Sequence, residues 1–327
     1  MLSEFKLPFT IPGTTIDSIS TFSILLMIAF LTASYLAPRE LKRRGLREEA
    51  ADWSILLAVF GAIVGSKIGF VFEVWSRIWI VDESWSNTLY YILFFKNGMG
   101  EKYPGQAMGL WEALFSRGGL VFYGGLALTF LLIYIYLRRS FGKENVWRYG
   151  DALMPSLAIG YAIGRLGCMV SGDGCYGYGS SYDIPLLTMV YGPGAAMSSA
   201  GVRVWNTPVM EAFLSTGLFA FYMLWARYQP FRPGLQTAIF LCYNGVARFL
   251  VEFLRINNAV WAVLPPPVYE GKPLPHHNFI SSNPPAYYFE NWHWYGPTQA
   301  QFTALALVAL GVTWIVVRKL YVKENVR

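Results

Sequence analysis

Charge is the first thing this sequence has little of. Of its 327 residues only 14% are Asp, Glu, Lys or Arg, roughly half the share of an ordinary soluble domain. A nucleic-acid binder coats one face with Lys and Arg, and a disordered chain is poor in apolar residues. Both classes are excluded, and no nucleic-acid partner is expected. Cysteine is equally scarce. Cys168, Cys175 and Cys242 are too few, and odd in number, for a disulfide framework. The only histidines, His276, His277 and His293, lie far along the chain from the cysteines. No metal-ligand spacing is found, and no metal site is expected. The chain does not repeat itself, which leaves an inverted-repeat transporter without support. Its opening segment lacks a basic stretch, so no cleavable signal peptide is expected there.

Apolar and aromatic residues are abundant. They make up 54% and 17% of the chain, with 12 Trp, 21 Tyr and 23 Phe, and the mean hydropathy is +0.36. These values point to lipid as the solvent. A helix needs about 20 mostly apolar residues to cross a bilayer. Seven stretches qualify, at 19–37, 53–74, 118–137, 152–170, 209–228, 235–254 and 299–317. The run 88–95 is too short to span and is expected at the interface. The expected fold is therefore an all-α integral membrane protein of about seven transmembrane helices, a single membrane domain over 1–327.

The loops alternate in charge. One set carries Arg39, Lys42, Arg43, Arg44 and Arg47; Arg138, Arg139, Lys143 and Arg148; Arg227 and Arg232; and the tail from Arg318. The other set is longer but carries fewer cations: Lys6; Arg77, Lys96, Lys102 and Arg117; Arg203; Arg255 and Lys272. Positive charge stays in the cytoplasm, so the N-terminus is expected outside and the C-terminus inside. The long loops, about 75–117, 171–208 and 255–298, then face outward. The last is dense in proline, which is expected to exclude a helix. Its Tyr287, Tyr288, Trp292 and Trp294 are expected to settle at headgroup level.

Only Lys67, Arg165 and Arg248 remain of the basic residues, and all three fall inside expected spans, together with Glu73, Glu211 and Glu252. A charge within the hydrocarbon costs a few kcal/mol even on lenient scales, so it normally faces a polar cavity and has a partner. Structural pairing between helices explains any one of these residues; six together favour a shared polar site. Arg248, Glu252 and Arg255 lie one stripe apart on a helix. Arg165 precedes Ser171-Gly-Asp-Gly-Cys-Tyr-Gly177, an irregular run of the kind tolerated at membrane depth where it lines a polar cavity. Two guanidiniums in one lipid-facing pocket suit a phosphate. An anionic phospholipid headgroup such as that of phosphatidylglycerol is the leading ligand.

The same residues carry a family resemblance. Gly164-Arg-Leu-Gly-Cys-Met-Val-Ser-Gly-Asp-Gly-Cys-Tyr-Gly177 resembles the signature of prolipoprotein diacylglyceryl transferases, G-R-x-G-N-F-x-N-G-E-x-x-G. Gly118 to Gly125 is similar to G-G-x-x-F-H-G-G, Thr207 to Glu211 to the end of H-P-T-x-L-Y-E, and Arg248 to Arg255 to R-F-x-x-E-F-x-R. The resemblance implies a bacterial inner-membrane enzyme. It moves diacylglyceryl from phosphatidylglycerol to the lipobox cysteine thiol of exported lipoprotein precursors, without a cofactor. By position it implies catalytic roles for Tyr123, Arg165, Arg248 and Glu252, with Glu252 orienting Arg248. It implies substrate contacts from Lys67, Gly124, Gly125, Cys168, Ser171, Gly172, Asp173, Gly177 and Arg255. Tyr123 stands where the family usually has histidine, Cys168 and Ser171 replace asparagines, Trp205-Asn206 replaces His-Pro, and Phe22 stands in place of an N-terminal tyrosine. These departures keep two alternatives open: the same lipid pocket serving another acceptor, and a non-catalytic lipid-binding protein. Between Cys168 and Cys175, a disulfide and a pair of free thiols are both open. Cys242 is expected to pack. Glu73 is a candidate partner for Lys67, and Glu211 is expected to hold a helix end or pair with an arginine.

Overall fold

The computed structural model describes residues 4–6, 18–82, 122–274 and 284–321, leaving aside the side chains of 4–6, 18–19, 70–82 and 122–123. In chain order the elements are β1 (Glu4–Lys6), β2 (Ser18–Ser20), α1 (Thr21–Arg43), α2 (Glu49–Asp82), α3 (Phe122–Phe141), α4 (Val146–Ser171), β3 (Thr188–Val190) and β4 (Arg203–Trp205). They continue with α5 (Thr207–Leu224), α6 (Leu235–Val251), β5 (Val268–Tyr269), β6 (Lys272–Pro273), α7 (Ala286–Glu290) and α8 (Gln299–Val317). Each consecutive strand pair forms an antiparallel two-stranded ribbon. Among the described residues six helices are long and apolar enough to cross a membrane: Thr21–Arg43, Glu49–Gly69, Val146–Ser171, Thr207–Tyr228, Leu235–Leu254 and Gln299–Val317. The chain is an all-α integral membrane protein. The remaining expected span, 118–137, starts before the described residues, and α3 covers its later part.

The chain forms two compact units, 45–149 and the remainder. In the smaller unit α2 and α3 meet through glycines. Gly65 faces the Gly124 carbonyl and the Leu128 side chain, while Gly125 faces Ser66. Thr129 Oγ1 donates to the Ala58 carbonyl at 3.3 Å. Lipid tails are as apolar as leucine, so helices associate by close packing and interhelical hydrogen bonds. Helix α2 runs on to Asp82, past the expected loop start near 75, because 75–82 holds neither glycine nor proline.

In the larger unit three helix starts have their free amides met by side chains. Ser20 accepts from the Ser23 amide at 3.3 Å at the head of α1. Thr298 and Gln301 form a reciprocal capping box at the head of α8. Helix α6 begins after left-handed Gly234 (φ 102). Its first amides, on Gly234 and Thr237, both donate at 2.8 Å to the carboxylate of Asp151 on α4. Helices α6 and α8 touch at Gly245, where a Cβ would sit 2.7 Å from the Ala304 carbonyl, and at Gly311, against Cys242. Glu40 is buried on α1 and pairs with Arg43 at 2.6 Å, Arg44 at 3.0 Å and Arg227 at 3.2 Å. These arginines, read from the sequence as loop charges, form a closed network.

The segments 172–206, 255–274 and 284–298 build a cap with its own core of Tyr176, Tyr191, Val204, Ile256, Tyr288, Phe289 and Trp292. Two expectations need correction here. Tyr288 and Trp292 are buried, at 1% and 4% exposure, because the rings of the two segments bury against one another instead of against headgroups. Tyr287 stacks on Tyr269 at 4.1 Å between ring centroids. Proline also fails to exclude a helix. Helix α7 follows Pro284-Pro285 directly, the place where a missing amide costs least. The run 88–95, the Glu73 side chain, His276 and His277 lie outside the described residues. His293 Nε2 lies 3.0 Å from the Pro265 carbonyl.

Candidate active site

Near the ends of three helices of the larger unit, a set of arginines and glutamates interlocks. Arg165 stands on α4, Glu211 on α5 and Arg248 on α6; Glu252 and Arg255 follow in the turn after α6. Glu211 Oε2 lies 2.5 Å from Nε of Arg165 and accepts from the Tyr161 hydroxyl at 2.7 Å. Its Oε1 accepts from Nη1 of Arg248 at 2.8 Å. One carboxylate thus ties together three side chains from two other helices. Glu252 Oε2 lies 2.8 Å from Nη2 of Arg248 and 3.8 Å from Nε of Arg255. Its Oε1 accepts from Thr298 Oγ1 at 2.8 Å and from Asn257 Nδ2 at 2.5 Å.

Both glutamates are almost fully withdrawn from solvent, at 3% and 0% exposure. Carboxylates this deep persist only when paired and hydrogen-bonded. Across these five groups the cations exceed the anions by one. Among the described residues, Nη2 of Arg165 and Nε and Nη1 of Arg255 have no hydrogen-bond partner although they are buried. Unsatisfied guanidinium donors beside an excess positive charge make a receptor for an anion.

The irregular run after α4 is shaped by two left-handed glycines, Gly172 (φ 61) and Gly174 (φ 82). A Cβ on the first would strike Ala195 and Tyr191, and one on the second Met197. Between them Asp173 Oδ1 accepts from the Cys175 amide at 3.0 Å, and Thr207 Oγ1 donates to the Cys175 carbonyl at 2.7 Å. Ser171 Oγ donates to the Cys168 carbonyl at 3.3 Å. The fold thereby brings donor atoms of Cys168, Asp173 and Cys175 within 4.8 Å of one another. Both cysteines are free thiols, and Arg165 Nη1 donates to the Cys168 sulfur at 3.6 Å. A hydrogen bond from Cys168 holds the Cys175 thiol well below its ordinary range, against burial, with help from the Arg255 and Arg165 charges. These three do not follow a Cys-x-x-Cys pattern; the two left-handed glycines fold them together. Gly177 pairs with Arg255 across an antiparallel bridge, and a Cβ there would strike the Leu254 carbonyl. It sets the backbone that carries Arg255.

Other expected site residues fall in the smaller unit or outside the described residues. Lys67, Gly124 and Gly125 are in the smaller unit, Lys67 half-buried on α2 and the glycines at the α2–α3 contact. The Tyr123 side chain lies outside the described residues. Conversely, Tyr161, Asn257 and Thr298 take part without having been singled out from the sequence. Tyr161 was open to detection, since it lies one turn before Arg165 on the same helix face. Asn257 and Thr298 carry no comparable signal, because only the fold of the cap brings them to Glu252.

A family model for prolipoprotein diacylglyceryl transferase matches residues 9–317. The chain belongs to the prolipoprotein diacylglyceryl transferase family. It is 44% identical over 309 residues to a Leptospira interrogans protein named phosphatidylglycerol–prolipoprotein diacylglyceryl transferase, covering 94% of this chain and 92% of the relative. A Geobacter sulfurreducens protein of the same name is 28% identical over 257 residues, or 77% and 84% of the two chains. A Clostridium perfringens relative, named as the second such transferase, is 24% identical over 237 residues, or 72% and 79%. The stretch matching the diacylglyceryl transferase family runs from before α1 to the end of α8, so the whole arginine–glutamate cluster falls inside it. Cys242, expected to pack, lies against Gly311 between α6 and α8.

Proposed function

We propose that this chain transfers the diacylglyceryl group of phosphatidylglycerol to the lipobox cysteine thiol of exported lipoprotein precursors. The observation that carries the reading is the buried cluster of Arg165, Arg248 and Arg255 with its excess charge and free N–H groups. It suits a lipid phosphate, and the names of the relatives supply the same lipid and the same acceptor. In this reading Arg165 and Arg248 hold the phosphate and stabilise charge on the leaving group. Glu211 and Glu252 fix the guanidinium planes. The precursor's thiolate attacks the glyceryl CH2 carbon, and a C–S bond forms as the C–O bond breaks. The electron pair leaves with the phosphate oxygen as glycerol phosphate, which, or nearby water, takes up the thiol proton. Tyr123 serves as a hydrogen-bond donor. Ser171, Gly172, Asp173 and Gly177 shape the wall beside the lipid. The membrane is the bacterial inner membrane, with the site on its outer side.

The test is a reconstituted reaction of protein, phosphatidylglycerol and a lipobox-cysteine peptide, read by mass spectrometry. A peptide gaining one diacylglyceryl group with release of glycerol phosphate is the expected result. An unmodified peptide, from protein that is folded and binds phosphatidylglycerol, would overturn the acceptor assignment. Arg165→Ala and Arg248→Ala each remove a charged hydrogen-bond partner worth about 1.5–3 kcal/mol, so each is expected to weaken phosphatidylglycerol binding roughly 10- to 150-fold. Equal binding of neutral and anionic lipids would remove the phosphate reading.

A further inference from the structure

We propose that Cys168, Asp173 and Cys175 form a binding site for a thiophilic divalent metal ion of the zinc class, whose open position takes the incoming thiol. The metal site stands on its own geometry; the role for the thiol rests on the transferase reading above.

Two sulfurs and one carboxylate oxygen lie within 4.8 Å of one another. In a tetrahedral zinc site with bonds of about 2.3 Å to sulfur and about 2.1 Å to oxygen, donors stand roughly 3.5–3.8 Å apart. Closing the group around an ion therefore takes no more than about an ångström of movement, in an irregular loop held by two left-handed glycines. The carboxylate is already oriented, since Oδ1 accepts from the Cys175 amide. An outer hydrogen bond is in place as well, from Arg165 Nη1 to the Cys168 sulfur at 3.6 Å, the kind that fixes a metal-binding thiolate.

Three protein ligands leave one position of a tetrahedral ion open, the arrangement of catalytic and not structural zinc. Asp173 is exposed, so the group borders solvent on that side. A thiol that coordinates there loses its proton, and the site delivers a thiolate beside the arginines that hold the phosphate. The balance is simple. The thiol proton is released on coordination, sulfur forms its bond to the glyceryl carbon, and the C–O electron pair leaves with glycerol phosphate. The product thioether, a weaker ligand than a thiolate, dissociates.

The test uses the full-length protein in detergent, stripped with a chelator under a thiol reductant and then titrated with Zn2+, Co2+ or Cd2+ alone. The expected result is one ion per chain by elemental analysis, with a thiolate-to-metal charge-transfer band for Co2+ and Cd2+. Binding persists in Cys242→Ser, is lost in Cys168→Ser and Cys175→Ser, and weakens at least tenfold in Asp173→Asn. Circular dichroism and the thermal transition establish that each variant folds. A Cys175→Ser variant that does not fold is replaced by wild type alkylated at its reactive thiols, which must likewise bind no ion. Absence of stoichiometric metal in the wild type, or an unchanged band without Cys168 and Cys175, overturns the site. A lipobox-cysteine peptide must shift the Co2+ band while its serine counterpart leaves it alone; no shift overturns the thiol role. Metal binding with no lipid transfer would refute the transferase reading and leave the site standing. Full transfer by chelated, metal-free protein would refute the thiol role alone.

Discussion

At the scale of single residues, Glu211 decides whether the arginine cluster holds its shape. It carries Arg165, Arg248 and Tyr161 at once, so its loss differs in kind from the loss of any one partner. Glu211→Ala leaves two buried guanidiniums without their shared anion, a change of about 3–5 kcal/mol. It is expected to lower the thermal midpoint as well as to abolish transfer. Tyr161→Phe removes one hydrogen bond to a charged group, about 1.5–3 kcal/mol, and leaves both ion pairs intact. The expected outcome is folded protein with reduced transfer and near-normal lipid binding, read by separating the two in the reconstituted assay. Tyr123→Phe tests the hydroxyl at the histidine position. Transfer is expected to fall sharply while phosphatidylglycerol binding holds. At this scale the sequence was informative wherever charge sat in an apolar run: Arg165, Arg248, Glu252 and Glu211 stood out on cost alone. Thr298 and Asn257 did not, because a threonine or an asparagine in a loop carries no penalty that marks it.

At the scale of elements, the start of α6 is held by a neighbouring helix. Asp151 on α4 accepts from the Gly234 and Thr237 amides and from Thr237 Oγ1 at 2.7 Å, placing a carboxylate at the positive end of α6. Asp151→Asn keeps the shape, removes the charge and turns one acceptor into a donor facing an amide. A loss of about 1–3 kcal/mol is expected, measured as a lower thermal midpoint without a change in metal or lipid stoichiometry. Gly245→Val has a steric cause instead. Its side chain would strike the Ala304 carbonyl and Val308, and α6 and α8 are expected to part, giving lower yield of folded protein. Six of the seven expected spans were readable from hydropathy, since each need only be long and apolar. Their ends were less so. Helix α2 ran past its expected stop because nothing in 75–82 breaks a helix, whereas α4 stopped at Ser171, where Gly172 follows.

At the scale of the whole molecule, the loop charges give an orientation that labelling can check. Single cysteines placed at Lys143 and at Glu270 are expected to react with a membrane-impermeant reagent from opposite sides, the second from outside. Reaction from one side would overturn the orientation. The class of fold was evident from composition, but the cap was not. Its aromatic residues looked like membrane anchors because sequence does not say which rings will face one another. That cap core draws Tyr176 and Tyr191 from the stretch between α4 and α5, and Tyr288, Phe289 and Trp292 from the stretch before α8. Glu252 likewise takes its bond from Thr298, the residue that caps α8. The order of synthesis follows from this. A nascent chain can insert its first helices and pair Arg165 with Glu211, yet Glu252 lacks its Thr298 bond, and the cap core its Tyr288, Phe289 and Trp292, until that last stretch has left the ribosome. The surroundings of the arginine cluster are therefore completed last, and a chain cut short before α8 keeps Glu252 short of that hydrogen bond.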